Sequence, residues 1–255
     1  MTNPAPRVSI VIPAYNEGDS IVPSLERIFE SVTLAYEVLV VVDTEGDTTI
    51  PPVERLAANE PRLRHVINTY GRGPAQAIRY GIDQAAAATV VVTMSDGCDD
   101  PRQIDDLVRL VERGVVVAAA SRYMPGGQQV GGPVFKQFLS RTAGRTLNTF
   151  ANVGTRDATN SFKAYNRAFV QSVGIDSRSG FEIGLELTAK ARRARLPVAE
   201  VPTIWLDRTA GESNFQLGAW LPKYLRWYFF TFGKKLTLDE IKALAAKVES
   251  HEKEK

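Results

Sequence analysis

Short apolar runs recur along the first 120 residues, and most of them stop abruptly at a turn-forming residue. Val8–Ile12 is closed by Pro13, Glu37–Val42 by Asp43, His65–Ile67 by Asn68 and Thr89–Met94 by Ser95, with Val115–Ala120 as a fifth run. Each reads as a strand covered on both faces. Between them, Ile21–Ser31, Pro74–Ala88 and Pro101–Arg113 have helical character. Strand alternating with helix predicts an α/β fold with a mostly parallel central sheet flanked by helices. In such sheets ligands lie outside the carboxyl ends of the strands. Pro13–Asp19, Asp43–Thr49, Asn68–Gly73 and Ser95–Pro101 all take that position.

Beyond Ser121 the alternation stops. A glycine-rich loop, Pro125–Gly132, leads into a helical stretch, Val134–Asn152, and this half is expected to cap the crevice. Pro197–Ile204 reads as another strand, Gly218–Phe232 is crowded with aromatics, and Leu236–Lys255 is charged and helix-favouring. The expected division is one domain over residues 1–215 and a C-terminal helical extension over 216–255. With 31 Lys+Arg against 29 Asp+Glu, the balance gives no reason to expect a nucleic-acid partner. Cys98 is the single cysteine, which excludes an intrachain disulfide framework and a multi-cysteine metal site and fits a reducing compartment. Met1–Arg7 lacks the apolar core of a cleaved signal, and no window is long and uncharged enough to span a bilayer. These features predict a cytoplasmic protein, free or held at the inner face of the cell membrane.

Four strand-end segments carry candidate chemistry. Pro13-Ala14-Tyr15-Asn16-Glu17 places an aromatic and a carboxylate at the mouth of the sheet, although proline and asparagine are also ordinary turn residues. Asp43 either receives ribose hydroxyls or a base N–H, or caps a helix. In Asn68–Gly73, glycines flanking Arg72 let backbone and guanidinium approach a phosphate. The fourth segment, Ser95-Asp96-Gly97-Cys98-Asp99-Asp100-Pro101, is the most informative. Asp96, Asp99 and Asp100 repel one another unless something compensates them, and hard divalent ions such as magnesium prefer such oxygen ligands together with substrate phosphates. The alternative is that Asp99 and Asp100 cap a helix begun at Pro101.

Taken in order, these pieces resemble glycosyltransferase family 2, of GT-A fold, and within it the polyprenyl-phosphate (dolichol-phosphate) hexose synthases. The resemblance runs from about Val8 to Phe215 and rests on five matches: Val8 through Glu17; Asn68-Thr69-Tyr70-Gly71-Arg72-Gly73 with Ala77; Ser121-Arg122-Tyr123; Asp157 through Tyr165; and Arg208-Thr209-Ala210-Gly211-Glu212-Ser213. It implies that Pro13, Tyr15, Glu17 and Asp43 hold the nucleoside of a nucleoside-diphosphate sugar. The Asp96 segment would bind the diphosphate through Mg2+ or Mn2+, with Arg72 nearby. Arg122 and Arg208 would meet the acceptor phosphate or departing diphosphate, with a hydrogen bond from Ser213.

The chain also departs from the family pattern. An ungapped alignment puts Ser95 and Gly97 where the two aspartates of the usual Asp-Ala-Asp motif stand. One inserted residue instead aligns Asp96 with the second acid and leaves Asp99 or Asp100 as its companion, a register that keeps a metal ligand. The expected activity is inverting transfer of a hexose to a polyprenyl phosphate. A phosphate acceptor is already anionic and needs no general base, whereas a sugar or small-molecule hydroxyl would need one, for which Asp157 and Glu182 are the candidates. A nucleotide-sugar-binding protein without catalysis is the non-enzymatic alternative. The aromatics Trp220, Tyr224, Trp227, Tyr228, Phe229, Phe230 and Phe232 stand beside Lys223, Arg226, Lys234 and Lys235. They are either a peripheral membrane contact or core.

Overall fold

The computed structural model describes residues 5–178, 180–207 and 217–244. Its elements run β1 Val8–Pro13, α1 Val22–Ser31, β2 Tyr36–Val42, α2 Ile50–Ala57, β3 Leu63–Ile67, α3 Pro74–Gln84, β4 Thr89–Val92, α4 Ile104–Glu112 and β5 Val117–Ser121. There follow β6 Gln128–Val130, α5 Val134–Thr146 with a π-helical turn over Leu147–Ala151, β7 Lys163–Asn166, α6 Arg167–Val173, α7 Ile183–Ala194, β8 Val198–Pro202, β9 Ile204–Leu206 and α8 Leu217–Thr231.

Seven strands form one sheet in the order β3-β2-β1-β4-β7-β5-β8. All neighbours are parallel except β7, which runs antiparallel between β4 and β5. Strand pleating sends alternate residues to opposite faces. Ile10, Ile12, Val38 and Val40 therefore pack against Leu25 and Ile28 of α1 and Leu107 and Val108 of α4. Val11, Leu39, Val41 and Val90 pack against Ile78 and Ile82 of α3 and Leu187 of α7. Burial on both faces explains why these strands read as continuous apolar runs rather than as alternation.

All five predicted strands and three predicted helices are present, with ends shifted by a few residues; α3 stops at Gln84, where Ala85 turns extended. The second half of the chain differs from expectation, because it does more than cap the crevice. It inserts β7 into the middle of the sheet and adds β8 to its edge. The strand expected over Pro197–Ile204 breaks at Thr203. Its continuation, β9, pairs with β6 from the glycine-rich loop in a separate two-stranded sheet. The division expected at residues 215/216, and most of the charged end beyond Leu244, fall outside the described residues.

Candidate active site

The first strand-end loop is lashed to the second. Asn16 takes a left-handed backbone (φ 54°) and its N–H points at the carboxylate of Asp47, 3.1 Å from each oxygen. Glu17 N donates to Thr49 Oγ1 at 3.0 Å. Asp47 also receives Thr49 N at 2.8 Å, so it organises the start of α2 and the Tyr15–Glu17 turn together. The ring of Tyr15 is left 63% exposed on this scaffold. Asp43 is not a cap for its own helix: it accepts Asn68 Nδ2 at 2.9 Å and Gly73 N, at the start of α3, at 2.8 Å. Gly71 (φ 117°) and Gly73 (φ 106°) have backbones that side chains rarely adopt, and between them Arg72 stands exposed with no hydrogen bond or ion pair among the described residues.

The acid segment separates its three aspartates. Asp100 caps the turn at Pro101 through Arg102 N at 3.1 Å, and Arg102 Nη2 reaches its other oxygen at 2.6 Å. Burial opposes its charge, but the Arg102 hydrogen bonds outweigh that and hold the carboxyl below its usual range. The capping alternative therefore describes Asp100, which its own neighbour occupies. Asp99 is buried, accepts Thr93 Oγ1 at 2.9 Å and Met94 N at 3.3 Å through Oδ2, and accepts nothing at Oδ1 among the described residues. Burial and then the charge of Asp96 push it up to about 6. Asp96 is half-buried and accepts Cys98 N at 3.1 Å. A buried carboxylate with an unused oxygen beside the charge of a second one suits a hard divalent cation whose shell is completed by phosphates. Ser95 Oγ donates to Glu17 Oε1 at 2.8 Å.

Across the crevice, Arg122 at the end of β5 is clamped by Asp157. Nε lies 2.7 Å from Oδ2, Nη2 lies 2.9 Å from Oδ1, and the Arg122 backbone N–H adds a 3.0 Å bond. Burial works against the guanidinium charge, but the fully buried Asp157 more than offsets this and raises its pKa. Arg122 Nη2 also reaches Ser140 Oγ of α5 at 3.3 Å, and Ser140 meets Tyr123 OH at 3.1 Å and Thr159 Oγ1 at 2.7 Å. Nη1 makes no hydrogen bond among the described residues. Beneath this group Lys163 of β7 is completely buried, donating among the described residues to the carbonyls of Ala158 and Asn160. Burial lowers it to about 7. Glu182 is also buried, its Oε2 has no partner among the described residues, and desolvation raises its carboxyl.

The description "Glycosyl transferase family 2" matches residues 9–174. The chain belongs to glycosyltransferase family 2. It is 30% identical over 218 residues to the polyprenol monophosphomannose synthase of Mycolicibacterium smegmatis, covering 83% of this chain and 82% of that protein. To the dolichol-phosphate mannosyltransferase of Pyrococcus furiosus it is 29% identical over 225 residues, covering 86% of this chain and 62% of the other. Among solved structures, the glucosyl-3-phosphoglycerate synthase of Mycobacterium tuberculosis in complex with Mn2+, UDP and glucosyl-3-phosphoglycerate superimposes with a TM-score of 0.66 at 18% identity, over 90% of this chain and 81% of that one. A mannosyltransferase of Pyrobaculum calidifontis in complex with GDP-mannose and Mn2+ gives 0.61 at 20% identity, over 95% and 69%. The fold is GT-A.

In this glycosyltransferase, strand ends bring Pro13, Tyr15, Glu17, Asp43 and Arg72 to one side of the crevice, and Arg122 with Asp157 to the other. Arg208 and Ser213 lie outside the described residues. The chain leads to them from the rim of the site, since Leu206 N donates to Cys98 O at 3.1 Å and Asp207 N to Val130 O at 2.9 Å. Sequence reasoning missed Asp47, Ser140 and Lys163. Asp47 lay within a loop already singled out and Lys163 within the Asp157–Tyr165 match, neither with a role assigned, whereas a serine inside a helix carries no local signal. The aromatics of α8 divide. Trp227 is buried with Leu147, Ala151 and Leu185, and Tyr224, Tyr228 and Phe230 pack around it, so for these the core alternative holds. Phe229 is 67% exposed, and on α5 and its π turn Val134 (80%), Phe150 (76%), Phe135 and Phe138 also face outward. The side chain of Trp220 is outside the described set. No helix among the described residues is long and apolar enough to cross a membrane.

Proposed function

We propose that the chain is an inverting hexosyltransferase that moves a hexose from a nucleoside-diphosphate sugar to a polyprenyl phosphate, and that it requires Mg2+ or Mn2+. The observation that carries this reading is the Arg122–Asp157–Ser140 group. A guanidinium fixed by a buried carboxylate on one edge, with Nη1 unused on another, is a preorganised receptor for phosphate oxygens. The relatives named for polyprenol- and dolichol-phosphate mannose transfer support the acceptor, and they make mannose the hexose to test first.

Tyr15 and Glu17 hold the nucleoside on the Asp47-braced turn, with Asp43 shaping the loop that presents Arg72 to the diphosphate. Asp96 and Asp99 would hold the divalent ion, which when bound neutralises charge on the departing diphosphate. We leave Asp100 out of that set because Arg102 pairs with its carboxylate. Arg122 orients the acceptor phosphate, whose own negative oxygen attacks the anomeric carbon, so the chain's residues supply alignment rather than proton transfer. Asp157 acts on Arg122 and takes no proton. Arg208 and Ser213 contribute further phosphate contacts by resemblance. Incubating purified protein with GDP- and UDP-sugars, Mn2+ or Mg2+ and a short-chain polyprenyl phosphate, followed by mass spectrometry, tests this. Glycolipid is expected from one donor, and none from any donor refutes it.

The Oε2 of Glu182, without a partner among the described residues, favours a second reading, transfer to a hydroxyl with Glu182 as base. Glu182→Gln separates the two, since it would abolish transfer to a hydroxyl and spare transfer to a phosphate. The lipid acceptor also calls for a membrane dock. We assign this to the exposed apolar residues of α5 and α8, with Lys136, Arg141, Lys223 and Arg226 on the same helices for anionic headgroups. That dock would place the enzyme at the cytoplasmic face of the membrane.

A further inference from the structure

The acid segment is held by its backbone, and the holding groups come from α1. Ser24 Oγ donates to the carbonyl of Ser95 at 2.8 Å. Arg27 Nη1 donates to the carbonyl of Gly97 at 2.6 Å, and its Nη2 to that of Asp99 at 3.3 Å. Ser24 and Arg27 are three residues apart, so they share one face of α1, and between them they tie down three alternate carbonyls across the loop that contains Asp96. Gly97 is the tightest point. Its φ is +70°, and a Cβ there would lie 2.9 Å from Ser24 Oγ, which is already committed to Ser95. Gly97, where an ungapped alignment puts the second aspartate, is therefore strained by any side chain in this protein.

We propose that Ser24 and Arg27 are positioning residues for the divalent cation: by pinning the carbonyls of residues 95, 97 and 99 they fix the separation of the Asp96 and Asp99 carboxylates, which replace the two alternate acids of the family pattern. The proposal rests on the metal reading above. A guanidinium is the group suited to the task, because its planar fork reaches two carbonyls at once where an ammonium offers a point contact. Both clamp side chains hold loop carbonyls, so their influence passes through the loop.

Mn2+ binding, read by electron paramagnetic resonance in the presence of GDP or UDP, tests the clamp without relying on turnover. Groups that orient ligands typically change metal affinity by about 10- to 100-fold when lost. Arg27→Met should weaken Mn2+ binding by about tenfold or more while melting temperature and circular dichroism stay near wild type, and Arg27→Lys should recover part of the loss through Gly97 O. Ser24→Ala, which leaves both guanidinium bonds in place, should show a smaller loss and serves as the test if Arg27→Met does not fold. Wild-type Mn2+ affinity in a folded Arg27→Met or Ser24→Ala protein overturns the clamp and leaves the metal reading standing. A wild-type protein that binds no Mn2+ with either nucleotide overturns both.

Discussion

Lys163 is the most expensive side chain in the sheet, and its replacement by methionine has a calculable signature. Its ammonium is completely buried, paired with two carbonyls and, among the described residues, with no carboxylate within ion-pair distance. Burial is the main reason its pKa falls from 10.5 to about 7, with the charges of Asp157, Arg122 and Asp99 acting in smaller measure. At about 1.36 kcal/mol per pH unit, a displacement of about 3.5 pH units is worth about 5 kcal/mol of destabilisation when the lysine is protonated in both states. The sign follows from proton counting. Between about pH 7 and 10.5 the unfolded chain holds this proton and the folded one does not, so wild-type stability gains from this group as pH rises through that window. Lys163→Met removes the gain. It also leaves the carbonyls of Ala158 and Asn160 without their donor, a cost of about 1–3 kcal/mol each that does not change with pH. The slope is therefore more diagnostic than the offset. From urea unfolding followed by tryptophan fluorescence, the stability of wild type relative to Lys163→Met should increase by about 2–3 kcal/mol between pH 7 and 9. Parallel curves over that range would refute the buried, proton-shedding lysine.

Other substitutions test the remaining groups. Asp157→Asn should destabilise the protein by about 3–5 kcal/mol in urea unfolding, because it strands the Arg122 charge in a buried site, whereas a loss of activity at unchanged stability would argue that Asp157 acts on substrate. Asp99 must lose its proton to bind metal, and burial, then the charge of Asp96, pushes its carboxyl up to about 6. Mn2+ affinity should then fall as pH drops through that value, approaching about tenfold per pH unit, with proton release detectable by calorimetry in buffers of different ionisation enthalpy; a pH-independent affinity from pH 5 to 7 would remove Asp99 from the metal set. In flotation with anionic vesicles at low salt, wild type should rise with the lipid and Phe138→Ser/Phe229→Ser should not, at unchanged melting temperature. Equal flotation would move the dock elsewhere.

The parallel half of the fold was legible because its strands are covered on both faces. Val38 through Val42 leave no room for another reading, and the polar residues that close such runs mark the crevice. What escaped was structure whose logic is not apolar. β7 contains Lys163 and Asn166 in four residues, and nothing local shows that a cation there is buried. In α7, Glu186 and Lys190 look like a solvated pair four residues apart, yet both are buried, 2.7 Å apart, with Asp176 nearby. The acid segment was found by its charge, but its three aspartates are alike in sequence. Only the position of Arg102 relative to Asp100, and of Thr93 relative to Asp99, tells cap from candidate ligand. The aromatic stretch of α8 was legible as an amphiphile but not as to which rings turn inward, because Pro222 and its neighbours make every face partly apolar.

The antiparallel strand in the middle of the sheet dictates an order of assembly. The first 120 residues look self-sufficient, but they can complete only the four strands β3-β2-β1-β4, while β5 bonds to β7 and β8 alone. During synthesis, a largely apolar β4 edge and an unpaired β5 must wait until residue 166 has left the ribosome, and the far edge until residue 202. A fragment ending near residue 125 would therefore present two open, water-averse strand edges and should accumulate as aggregate rather than as a nucleotide-binding half, since unpaired edges of this kind are templates for one another.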